Sequence, residues 1–140
     1  MGLAGRRGNR CGVGMETLHL SRLEPALAAG LLAGMAGFDP AGRTTQKNIE
    51  AMTTSGQCFA ATADKSQAVY VLHVDNGVAW VSACKGSGPA QWARLLLPVI
   101  EVQAKGCNAV SFQTKRRGLV REAQRQGYQI AGYIMKKDLQ

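Results

Sequence analysis

The sequence predicts an α/β fold in which a mixed sheet carries helices on both faces. Three observations predict it. Asp75-Asn76-Gly77 sits between "QAVYVLHV" and "VAWVSAC", two runs rich in β-branched and aromatic residues, and Asn-Gly supplies the positive φ values of a type I′ hairpin turn. After that hairpin the pattern alternates: a glycine loop, a helix, a strand, a helix and a strand. Before it stand two helical patterns and a short apolar strand. At 140 residues and 46% hydrophobic, the chain suits one domain with a real core.

The elements follow in order. "MGLAGRRGNRCGVG" is glycine-rich and carries Arg6, Arg7 and Arg10 without an acid, so residues 1–14 read as a flexible basic arm and residues 15–140 as the single domain. Met15 is a second sensible start. Leu18 and Leu20 flank His19 in a short alternating stretch. Ser21 and Glu24 have the spacing of a capping box, Pro25 falls in the first helical turn, and Leu23, Leu27, Leu31 and Met35 make one apolar stripe. "GFDPAG" ends that helix. "TTQKNIEAMTTSG" predicts a second, stopping at Gly56. "QCFAATA" reads as a strand and leads into the hairpin.

Pro89 suits the first position of the next helix, whose inward face is Trp92, Leu95, Leu96, Val99, Ile100 and Gln103. Pro98 should kink it, and Gly106 should end it. "NAVSFQT" predicts a strand. Thr114 can cap a helix through "KRRGLVREAQRQ", with Leu119, Val120 and Ala123 inward and Gly127 at its end. "YQIAGYIMKK" predicts the last strand.

Charge and cysteines narrow the function classes. Seventeen Lys and Arg against nine Asp and Glu give a net charge of +8, which favours anionic partners such as nucleic acid or a phosphorylated ligand. The four cysteines, Cys11, Cys58, Cys84 and Cys107, form no C-x-x-C pair, and only His19 and His73 could join them, so no metal site is expected. Cys58, Cys84 and Cys107 read as small buried hydrophobes, and the lack of a disulfide framework fits a reducing cytoplasm. No apolar run approaches the ~20 residues of a membrane span.

The glycine loop "CKGSGPAQW" joins a strand directly to a helix. Gly86 and Gly88 let the backbone turn and present N–H groups at a helix N-terminus, which suits a phosphate. They serve equally well as a tight connection with no ligand. His73 could act as a base or be a satisfied structural residue. Tyr70, Tyr128 and Tyr133 could reach a central cleft or merely fill strands.

As a whole, "AVYVLHVDNGVAWVSAC", "KGSGPAQW", "NAVSFQT", "REAQRQGY" and "QIAGYIMKKDL" resemble the GNAT acyltransferase superfamily, well over residues 56–140 and loosely over 15–55. The resemblance implies a GNAT-like mixed, mostly antiparallel central sheet with helices on both faces. It implies acetyl-CoA or another acyl-CoA as cofactor, its phosphates held by Lys85, Gly86, Ser87, Gly88 and Ala90, with Lys115 and Arg116 at the next strand end. "SFQTKRRGLVREAQRQGYQIAGYIMKKDL" is also similar to small GNAT-like proteins of bacteriophages and prophages, including a class found inside virions. Three positions depart from the family. Ala83 stands where an Arg or Gln usually precedes the loop. Arg116 stands for an Asn early in the last helix. Ala123 stands for the Tyr that commonly protonates the leaving thiolate. The nearest acid to the family's general base is Asp75, which suits turn chemistry instead. No catalytic constellation emerges.

The departures favour a GNAT-fold accessory or structural protein, phage-derived and virion-associated, with degenerate or absent acyltransferase activity. Such a protein would work with other proteins of an assembly, in a bacterial host cytoplasm or a virion. An acetyl-CoA-dependent N-acetyltransferase of unknown acceptor is the alternative. A basic nucleic-acid-binding module is the third reading, using the arm and Lys115–Arg117.

Overall fold

A computed structural model describes residues 17–33, 46–88 and 91–139. Strand β1 spans Leu18–Leu23, followed by helices α1 (Pro25–Leu31) and α2 (Gln46–Ser55). Then come β2 (Gln57–Ala63), β3 (Ser66–Asp75) and β4 (Val78–Ser87). Helix α3 (Trp92–Gln103), strand β5 (Ala109–Ser111) and helix α4 (Arg117–Arg125) complete the order. Among the described residues five strands lie in sequence order, β1 to β4 antiparallel and β5 parallel to β4.

Alternation along β3 assigns the two faces. Ala68, Tyr70 and Leu72 join Ala61 and Ala63 of β2 and meet Leu96, Val99 and Ile100 of α3. Val69 and Val71, with Cys58 and Ala83, meet Ala28, Ala29 and Leu32 beside α1 and Ile49 of α2. The sheet is therefore buried on both faces, as a period of two with apolar residues in both registers requires. The hairpin turn forms as predicted, with Asn76 at φ 56° and Gly77 at φ 78°.

Several expectations need correction. Ser21 does not open a helix. It lies in β1 opposite Ala60, and the ladder carries the strand on to Leu23, leaving Glu24 as the N-cap. The α1 stripe is rotated too. Leu27 and Leu31 are exposed, while Ala28, Ala29 and Leu32 are buried, because small side chains let the helix lie close on the sheet. Met35, Pro89 and residues 1–16 lie outside the described residues. Helix α3 runs unbroken through Pro98, which sits on its exposed side. Thr114 is not the cap of α4. Its Oγ1 accepts the Arg116 N–H at 3.0 Å, and the helix begins two residues later than that cap implies, with Arg116 as N-cap.

The last predicted strand does not form. Residues 128–139 follow Gly127 (φ 100°) without a ladder partner among the described residues. Strand β5 is also short, and no strand pairs its outer edge among the described residues. Cys58 is buried as expected, but Cys84 is exposed and Cys107 half-buried.

Candidate functional site

The feature that could hold a ligand is a notch in the sheet. β5 runs beside β4 only from Val78 to Trp80, opposite Ala109 to Ser111. From Val81 to Ser87, β4 is paired to β3 alone. A bulge lies just past the point where the strands part: Val71 pairs with Ala83 and Leu72 with Val81, so Ser82 is the extra residue on β4. Beyond Ser111 the polypeptide leaves β5 and passes through Thr114, Lys115 and Arg116 to Arg117 at the start of α4, the three cations all exposed.

Cys84 marks the notch. Its cross-strand partner Tyr70 is fully buried, yet Cys84 itself keeps water access. The residue lies where β4 has no partner on its β5 side among the described residues, which leaves it exposed although its thiol is desolvated. Surrounding protein still pushes its pKa up to about 11, and the nearby Arg116 charge pulls in the opposite direction. Arg116 is therefore near enough for its charge to act on Cys84.

The structure does not bring Lys85 there. Lys85 pairs with Val69, on the α1 and α2 face, and its Nζ donates to the Ala33 carbonyl at 3.0 Å. The sheet therefore stands between the two halves of the predicted anion site. Gly86 and Ser87 belong to β4, opposite Ala68 and Gln67, rather than to a free loop. Ser87 Oγ donates to the Gln67 carbonyl at 3.4 Å. Gly88 turns the chain at φ 89°. Ala90 lies outside the described residues.

Both glycines face protein. A Cβ at Gly86 would run into the Trp92 ring, whose Nε1 donates to the Ser87 carbonyl at 3.1 Å. A Cβ at Gly88 would stand 2.6 Å from Ser66 Cα. Trp92 as the partner of Gly86 was not foreseen, although a Trp six residues after a glycine is visible in the sequence.

The groups considered for proton transfer are placed elsewhere or tied up. His73 is exposed near the end of β3, opposite Trp80. Tyr70 donates to Gln103 Oε1 at 2.8 Å, and burial pushes its pKa up to about 12. Tyr128 donates to Glu101 Oε2 at 3.0 Å, and burial, that bond and the carboxylate charge all push its pKa higher still. Tyr133 is exposed. Asp75 stands at the hairpin turn. Ala83 and Ala123 are buried, so the longer residues the family has there would need room in this core. Among the described residues no group of His, Cys, Asp and Glu could hold a metal ion, and no helix is long and apolar enough to cross a membrane.

The chain has a GNAT-like fold: a mostly antiparallel five-stranded sheet, a parallel last pair that separates, and helices on both faces. A solved ribosomal-protein-alanine N-acetyltransferase from Brucella melitensis biovar Abortus 2308 is similar to it, with a TM-score of 0.52 and 10% identity, covering 86% of this chain and 99% of that one. At that identity the likeness concerns the fold. No family model matches the sequence, and no curated protein matches it.

Proposed function

We propose that this chain is a GNAT-fold accessory or structural protein whose acyltransferase activity is degenerate or absent. The observation that carries the reading is the filled glycine turn, where Trp92 lies against Gly86 and Ser66 against Gly88. A phosphate cradle needs bare backbone turned toward the ligand. Here the missing side chains make room for the protein's own atoms. The separation of Lys85 from Arg116 by the sheet supports the same reading, as do the hydrogen bonds that occupy Tyr70 and Tyr128. Its partners are other proteins of an assembly, with the exposed Lys115–Arg117 cluster as an anion-facing patch. A phage-derived, virion-associated setting is part of the same proposal.

A second reading, an acyl-CoA-binding N-acetyltransferase, is favoured by the notch, where unpaired β4 backbone could receive an extended acyl carrier. A thermal melt with acetyl-CoA separates the two. A ligand at about 100 times its Kd stabilises by roughly 2.7 kcal/mol, which raises Tm by several degrees. No shift at millimolar acetyl-CoA is expected. A rise of several degrees would replace the first reading with the second.

A further inference from the structure

We propose that the cavity beside β5 and the Lys115–Arg117 cations together hold a single strand of nucleic acid. The inference rests on the accessory-protein reading, because an acyl-CoA enzyme would need the same cations for its cofactor. The cavity measures about 570 Å³, within the roughly 300–1,000 Å³ of small-molecule sites. Its lining is aromatic. Of the chain's two Trp, three Tyr and three Phe, four stand around it: Trp80, Phe112, Tyr128 and Tyr133. Trp80, Phe112 and Tyr128 are half-buried, and Tyr133 is 86% exposed. The Phe112 and Tyr128 ring centroids lie 5.7 Å apart with planes inclined by 56°, so the two rings form a corner for a planar group. The bond from Tyr128 to Glu101 holds one of those rings in place.

Charge decides which planar group. An aromatic cage can also take an ammonium group. Among the described residues, however, no Asp or Glu lines this cavity, and the chain carries a net +8. The bordering charges are cations. Thr114 ends one wall, and Lys115, Arg116 and Arg117 follow it directly, all exposed. Val120 also lines the cavity and sits one helical turn from Arg116 and Arg117, so those cations border it. The occupant is therefore a planar ring joined to anions, which describes a nucleotide unit. Gln113 and Gln129, both exposed on the lining, carry the donors and acceptors that base edges need. Only an unpaired base offers its face to such rings, so the strand is single. Three consecutive cations suit successive phosphates, so a strand fits better than a free nucleotide.

Fluorescence anisotropy of the full chain with a labelled oligothymidylate of about twelve nucleotides tests the proposal. Expected is saturable binding at micromolar Kd in low salt. Affinity should fall on the order of 20-fold between about 50 and 200 mM salt, as three phosphate contacts on a single strand require. A duplex of the same length should bind about tenfold more weakly, because its bases are shut away. Tyr133→Ala, at an exposed position, should weaken binding about 5- to 100-fold without changing the salt slope, and Tyr133→Phe should bind as the parent does. Lys115→Gln with Arg117→Gln should lower that slope by about 1.4.

A flat salt response, or a Tyr133→Ala variant that binds as tightly as the parent, would overturn the inference. So would equal affinity for the duplex, or ATP binding as tightly as the strand. Oligoglutamate binding as tightly as the strand would assign the face to an acidic protein instead. If no strand binds and acetyl-CoA gives no thermal shift, this inference alone falls. Displacement of the strand by micromolar acetyl-CoA would overturn both it and the accessory-protein reading, since the cations then serve a cofactor.

Discussion

Replacing Gly88 by Ala tests whether the glycine turn is part of the core or part of a ligand site. Gly88 has φ 89°, where an L-residue is strained by about 1–2 kcal/mol. The new methyl group would also stand 2.6 Å from Ser66 Cα and 2.9 Å from the Lys65 carbonyl oxygen, both backbone atoms that cannot rotate away. Overpacking of this kind costs about 1–3 kcal/mol. Together they predict a loss of roughly 2–5 kcal/mol with no ligand present. With a urea m-value of about 1–3 kcal/mol/M, the unfolding midpoint should fall by on the order of 1–2 M. Urea unfolding followed by circular dichroism reads this directly. A loss of no more than about 1–2 kcal/mol, the φ strain alone, would mean that the face at Gly88 is open and would refute the filled-turn reasoning.

Other outcomes follow from the same structure. Cys84 should react with iodoacetamide at pH 8 on the order of 100-fold more slowly than a thiol of ordinary pKa, with the rate still climbing toward pH 11. Arg116→Ala should slow it further, and an unchanged rate would remove Arg116 from the notch. Tyr70→Phe should cost about 1 kcal/mol through the lost bond to Gln103, read by urea unfolding. Because the Tyr70 pKa is raised from 10 to about 12, its contribution is intact below pH 10 and lost as pH rises toward 12. The variant should lack that part of the alkaline fall in stability, and an identical alkaline profile would exclude Tyr70 as its source. Ile100→Ala should cost about 2–5 kcal/mol, since the side chain is 2% exposed at the centre of the α3 face, and urea unfolding would reveal a smaller loss if α3 packed differently.

Much of the sheet was legible because β3 states its own role. Five consecutive buried residues from Ala68 to Leu72, followed by Asp-Asn-Gly, read as a strand covered on both faces and then a hairpin. The start of α1 was not legible. Ser21 and Glu24 satisfy a local capping rule, but the ladder to β2 is a tertiary interaction that overrides it. Residues 128–137 show the opposite failure: their β propensity is plain, but a strand needs a partner that local sequence cannot supply. The site was half legible. Lys85 and Arg116 could be named from the glycine loop and the cationic turn. Their separation follows from the parity of β4, where Cys84 and Lys85 take opposite faces, and from the bulge at Ser82.

The most direct measurement is calorimetric titration of the full chain with acetyl-CoA and with free CoA, because binding needs no knowledge of an acyl acceptor. Expected is no saturable heat at ligand concentrations well into the hundreds of micromolar. Saturable binding at micromolar Kd, with free CoA competing for the same site, would contradict the reading of this fold as one that no longer transfers acyl groups.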